Sequence, residues 1–124
     1  MKLFFQTLIL LFIGSCLSQT MFAQDPVAIA PKIYRTRLDN NKVRVLDVWL
    51  KPGDKVALHG HPDYVSYALS SGIAKFTDEK GKATRVVMKA GQCTWHNEEK
   101  HTVQNVGKHP LHVLCVEVKG FRWL

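Results

Sequence analysis

Histidines carry most of the chemistry this sequence offers. His59 and His61 stand one residue apart in Gly53–Gly72, a stretch with a turn glycine at either end. Alternate side chains on an extended segment share a face, so both imidazoles would point the same way and could grip one ion. A third imidazole, His101, opens a run to Val106 that also reads as strand and stops at Gly107. Imidazole donors suit zinc, copper, iron and nickel, and the Lewis acidity of such an ion draws an anionic, chelating ligand into its open positions. His109 and His112 lack this spacing and read as surface or hydrogen-bonded residues. His96, Glu98 and Glu99 precede His101; they read either as a loop supplying a fourth ligand or as a charged, solvent-facing turn, and the turn is preferred.

The elements that must position these residues are short strands. β-type runs are expected at Ile33 to Leu38, Val43 to Leu50, Lys55 to His61, Val65 to Ser70, Ile73 to Thr77, Thr84 to Met88, Gln92 to Trp95, His101 to Val106 and Leu111 to Lys119. Between them lie turn-forming stretches: Asp39-Asn40-Asn41, Pro52-Gly53-Asp54, Asp78 to Lys82 around Gly81, and Gly107 to Pro110. No stretch has a helical period, and no repeat or low-complexity tract appears. Residues 24–32 read as an extended N-terminal arm, followed by one all-β domain from 33 to 124. Antiparallel strands this short, in a chain this size, predict a sandwich or barrel.

The two histidine stretches together resemble the paired motifs of the cupin superfamily. The first motif of that family spaces a glycine, His-x-His, a glutamate and a second glycine, and Gly53, His59, His61 and Gly72 fall in place. Its glutamate is missing. Val65 occupies that slot in the shorter of the family's two spacings, Ser66 in the longer. The second motif, a glycine followed by His-x-x-x-Asn, is matched by Gly91, His101 and Asn105, although the intervening Pro-x-Gly turn is replaced by His96-Asn97-Glu98.

The resemblance implies an antiparallel jelly-roll β-barrel holding one divalent ion (zinc, iron, copper, nickel or manganese) through His59, His61 and His101. Strand parity is taken to put Val65, Tyr67 and Leu69 inside and Tyr64, Ser66 and Ala68 outside. Val65 would then fill the vacant ligand position and Tyr67 would be a candidate catalytic residue. Asn105, sharing a face with His101, would orient an imidazole from the second shell. Trp49, Trp95 and Tyr67 either wall a pocket or are ordinary core.

The remaining signals concern compartment and partners. Lys2, the apolar run Leu3 to Ile13 and the more polar, small-residue stretch Ser15 to Gln24 form a signal-peptide pattern, read as residues 1–23, whose apolar run is too short to span a bilayer. Cleavage after Ala23 releases a soluble chain. Ile13-Gly14-Ser15-Cys16 also resembles a bacterial lipobox, which would leave a lipid anchor on Cys16. The expected location is periplasmic or secreted.

The formal net charge is +7, but the basic residues are scattered, so nucleic acid is not an expected partner. A small molecule in the barrel is expected, and a homodimer is compatible with the sequence. Cys93 and Cys115 fall in separate strands without Cys-x-x-Cys spacing and read as free thiols. Two functions follow: a metal-dependent oxygenase or isomerase acting on a small carboxylate-bearing or enolisable molecule, or a non-catalytic binding or interaction module with a metal-free barrel.

Overall fold

The structure is a computed structural model and describes residues 24–120. The expected leader over residues 1–23, with the Ala23 cleavage site and Cys16, lies outside the described residues. Among those described, the chain forms β1 (Tyr34–Asp39), β2 (Val43–Leu50), β3 (Lys55–His61), β4 (Tyr64–Ala68), β5 (Gly72–Asp78), β6 (Ala83–Met88), β7 (Cys93–His96), β8 (Glu99–Asn105) and β9 (Leu111–Val118). Each expected strand is present, with its ends moved by a residue or two. All pairings are antiparallel.

A five-stranded sheet has the order β1-β2-β9-β4-β7, and a four-stranded sheet the order β3-β8-β5-β6. From β2 onward the chain passes repeatedly from one sheet to the other, the winding that makes a jelly roll. β9 shows the two-residue period plainly: Leu111, Val113, Cys115 and Glu117 are buried, while His112, Leu114, Val116 and Val118 are half-buried. The apolar core lies between the sheets and includes Leu46, Val48, Leu50, Val56, Ala74, Val103, Leu111 and Val113. Gly72 is needed for that packing, because a Cβ there would come within 2.5 Å of Leu111 Cδ2.

The expected extended arm is instead partly helical. Asp25 caps α1 (Pro26–Ile29), its Oδ1 accepting from the Val27 N–H at 2.9 Å, and proline is suited to the first helical position. The short helix packs against β1 and β3. Pro26 is buried, and Val27, Ile29 and Ala30 pack on the core, so apolar contact explains why the segment folds back.

A β-bulge in β3 has consequences for the histidines. Val56 pairs with Val103 and His59 with His101, so the register shifts between them. Val56 faces the core, and without the extra residue His59 and His61 would point outward. The bulge turns both imidazoles into the barrel.

Candidate metal centre

His59, His61 and His101 come together inside the barrel, with 0%, 4% and 5% of their surface exposed. One ring nitrogen from each lies within 4.8 Å of the others. The backbone explains the convergence: His59 sits opposite His101 across β3 and β8, and His61 follows on the same face of β3. Ring centroids are 4.8 Å apart for His59 and His101 and 5.0 Å for His59 and His61.

Each imidazole has one nitrogen committed to an acceptor behind it. His59 Nδ1 donates to the Ala57 carbonyl at 2.8 Å, and His61 Nδ1 to Glu117 Oε1 at 2.9 Å. His101 Nδ1 faces Glu99 Oε1 at 3.2 Å. A carbonyl or carboxylate only accepts, so these contacts select the tautomer that carries its proton on Nδ1 and leaves the lone pair on Nε2. Partners of this kind hold metal-ligating histidines in the required tautomer and orientation. Burial holds His59 neutral, lowering its pKa to about 4 against the hydrogen bond to Ala57. The donor set therefore fits a divalent ion. The Tyr34 hydroxyl lies 3.2 Å from His59 Nε2 and donates to that lone pair; an ion at this position would take its place.

Both carboxylates are themselves held. Glu117 is 2% exposed, and its other oxygen accepts from Arg44 Nε at 2.8 Å. Burial works to raise its pKa, but the hydrogen bonds from His61 and Arg44 outweigh it and keep the group ionised. Glu99 also accepts from the Tyr64 hydroxyl at 2.5 Å. The hydrogen bond with His101, and then that from Tyr64, hold Glu99 down to about 2 despite burial.

A cavity of about 450 Å³ opens from this cluster. Its walls are mainly apolar, among them Leu50, Phe76, Met88, Val103 and Leu111, with His61, His101, Ser66, His96, Lys82 and Lys100 as polar points. Ser66 Oγ and His96 Nε2 are hydrogen-bonded at 2.9 Å, and His96 stacks on Tyr64 with ring centroids 4.3 Å apart.

The faces of β4 are opposite to those expected. Tyr64 pairs with Glu117 and Ser66 with Cys115, both inward residues of β9, and residues directly opposite in a sheet share a face. Tyr64, Ser66 and Ala68 are therefore buried and line the cavity. Val65 faces outward and does not fill the vacant ligand position; Ser66 is the residue of that pair that faces the site. Tyr67 is 42% exposed on the outer face, which removes it as a catalytic candidate. Trp49 and Trp95, 48% and 54% exposed, are on that outer face too and do not line this cavity.

Asn105 is fully buried but reaches no imidazole. Its amide donates to the Leu50 and His109 carbonyls and accepts from the Gly107 N–H, so it latches the turn after β8. Cys93 and Cys115 are free, one exposed and the other buried. His112 donates to Asp47 at 2.6 Å and stacks on Trp49, away from the centre.

Sequence reasoning missed Tyr34, Arg44, Tyr64 and Glu117, and left His96 and Glu99 in a solvent-facing turn. For Glu117 a signal existed, since it continues the apolar phase of Leu111, Val113 and Cys115, where a lone carboxylate needs a partner. Glu99 shares the face of His101 by the same two-residue rule.

The molecule thus defines itself as a small jelly-roll barrel with a buried three-histidine cluster at the end of an internal cavity. No protein-family model matches the sequence, and comparison with curated proteins returns no match. Solved structures do match. A cupin domain from Bordetella pertussis superposes with a TM-score of 0.66 at 23% identity, over 71% of this chain and 93% of that one. A conserved protein with a double-stranded β-helix domain from Klebsiella pneumoniae gives 0.59 at 26% identity, over 71% and 76%. An RmlC-like cupin family protein from Methanocaldococcus jannaschii gives 0.57 at 15%, over 69% and 78%. The chain thus shares the double-stranded β-helix fold of these cupin proteins.

Proposed function

We propose that this chain is an exported cupin that holds one divalent metal ion through His59, His61 and His101 and transforms a small carboxylate-bearing or enolisable molecule by oxygenation or isomerisation. The observation that carries the reading is the orientation of the rings, each with Nδ1 held from behind and Nε2 left to bind. When bound, the ion supplies Lewis acidity and open coordination positions for an anionic oxygen donor.

The chain's own groups do the rest. Lys82 and Lys100 stand on the cavity lining together with Asp78 and Glu99 and offer polar partners, the apolar wall accepts the hydrocarbon part of a bound molecule, and about 450 Å³ admits only a small one. His96, held by Ser66 and kept toward the neutral form by burial, is the cavity group suited to taking a proton. A non-catalytic binding barrel is the second reading, favoured by the Tyr34 hydroxyl, which satisfies His59 Nε2 without an ion.

Metal analysis of the purified protein and calorimetric titration with zinc or nickel test the centre. Alanine at His59, His61 or His101 should each remove most of the affinity, because two imidazoles alone hold such an ion poorly. His109→Ala should leave it intact. Equal affinity in all four variants would overturn the assignment.

Export rests on Lys2 and the apolar run behind it. Mass spectrometry of protein recovered from a bacterial host should find a chain beginning at Gln24, or a lipidated Cys16. An uncut cytoplasmic product would overturn it.

A further inference from the structure

His61 is tied to the N-terminal segment by an unbroken line of charged groups. Its Nδ1 donates to one oxygen of Glu117, and the other oxygen accepts from Arg44 Nε at 2.8 Å. A second arm of the same guanidinium, Nη1, reaches Asp25 Oδ2 at 2.7 Å. Asp25 is fixed in turn, since its other oxygen caps α1. The sheet brings these groups into one row: Arg44 lies opposite Glu117 across β2 and β9, and Tyr64 opposite Glu117 across β9 and β4.

The line is more sheltered than a surface ion pair. Side-chain exposure falls from 23% at Asp25 and 17% at Arg44 to 3% at Glu117 and 2% at His61. A guanidinium with two carboxylates on two of its arms is held in one orientation, and this defines where Glu117 stands. Without Asp25, Arg44 keeps only its bond to Glu117 and is free to swing about it.

We infer that Asp25, Arg44 and Glu117 form a positioning chain by which the docked N-terminal segment sets the orientation of His61 and hence its metal affinity. The inference rests on the metal-binding reading of the three histidines. These are positioning residues, acting through His61. The coupling is reciprocal: docking of residues 24–30 raises affinity at His61, and an ion at His61 holds those residues down.

The test uses the full chain in four forms: wild type, Asp25→Asn, Asp25→Glu and Arg44→Lys. Zinc affinity is read by calorimetry, and the imidazole ¹⁵N shifts of His59 and His61 are read by NMR without metal. Asp25→Asn should weaken zinc binding by about 3- to 10-fold, below the 10- to 100-fold typical of losing a ligand's direct partner. It should also move the His61 resonances and leave those of His59 in place.

Asp25→Glu should recover much of the affinity. Arg44→Lys, which keeps the charge but loses the two-armed grip, should not. A folded Asp25→Asn protein with unchanged affinity and unchanged His61 shifts would overturn the chain. If even the wild type fails to bind zinc while Asp25→Asn still moves His61, the positioning chain stands and the metal reading falls; if neither readout responds, both fall.

Discussion

Replacing Val65 and Ser66 in turn by glutamate tests which face of β4 meets the histidines. Ser66 lines the cavity and bonds His96, whereas Val65 sits in an outer row between Val116 and Trp95. Without metal, Ser66→Glu loses one hydrogen bond, worth about 1 kcal/mol. It also puts a carboxylate into a largely apolar cavity, which costs roughly 2 kcal/mol or more unless the group protonates. At 4–8 °C per kcal/mol for a domain of about 100 residues, the melt should fall by about 12–24 °C.

Zinc at a hundredfold excess over its Kd stabilises wild type by about 2.7 kcal/mol, or roughly 11–22 °C. If the new carboxylate tightens the site tenfold, the zinc-induced rise in Ser66→Glu should exceed that of wild type by a further ~6–11 °C. Val65→Glu loses cross-strand apolar contact, about 0.2–1 kcal/mol, by the same amount with and without zinc. Differential scanning fluorimetry of the three proteins with zinc and with chelator gives the comparison. A larger zinc response in Val65→Glu than in Ser66→Glu would refute the strand parity, and a Ser66→Glu protein that melts low under both conditions would refute the link between position 66 and the ion.

Two further outcomes follow from charges and surfaces away from the centre. Burial tends to raise the Asp47 pKa, but hydrogen bonds from Arg37 and His112 outweigh it and hold the carboxyl below its ordinary value. A depressed carboxyl contributes stability that is fully present above its unfolded pKa, about 3.9, and is lost as pH falls through the folded value. Asp47→Asn should therefore cost on the order of 1 kcal/mol in urea denaturation at pH 6, with Arg37 largely exposed, and progressively less as pH falls below that unfolded value; a penalty independent of pH would contradict this. On the outer face of the five-stranded sheet, Trp49, Tyr67, Leu69 and Trp95 are each 41–54% exposed, together roughly 400–500 Å² of apolar surface. With the valines and Leu114 between them this approaches the ~800 Å² per partner of a stable interface. Light scattering should show a wild-type dimer that Trp95→Lys converts to monomer, and a wild type monomeric at high concentration would refute a second copy on this face.

Nine strands and three histidines were legible because both are local patterns: apolar alternation between turn residues, and a His-x-His that needs only one strand to share a face. What failed was the phase of a strand relative to the rest of the barrel. The bulge between Val56 and His59 leaves the His-x-His pair intact and changes only its relation to the residues before it. Nothing in Ala57 or Leu58 marks the extra residue. At β4, Val65-x-Tyr67-x-Leu69 is more apolar than Tyr64-x-Ser66-x-Ala68, so hydrophobicity alone put the wrong set inside. The inward set is polar because it serves the cavity: Tyr64 holds Glu99, and Ser66 holds His96.

The carboxylates were hidden for a further reason. Glu117 follows His61 by 56 residues and Arg44 by 73, and they meet only because β9 pairs with β2 and the sheet that carries β3 faces theirs. An argument from one strand can say that Glu117 lies in the apolar phase of β9 and must be paired there, but it cannot say with what. Asn105 marks the same boundary from the other side, since it was correctly placed on the buried face of His101 and yet bonds backbone carbonyls instead of a ring. Sharing a face with a ligand therefore does not make a residue its partner. The partners here are acceptors that reach Nδ1 either from two residues back on the same strand, Ala57 for His59 and Glu99 for His101, or from β9 of the facing sheet, Glu117 for His61. A search for further site residues in such barrels should begin from charged residues in the inward phase of those strands.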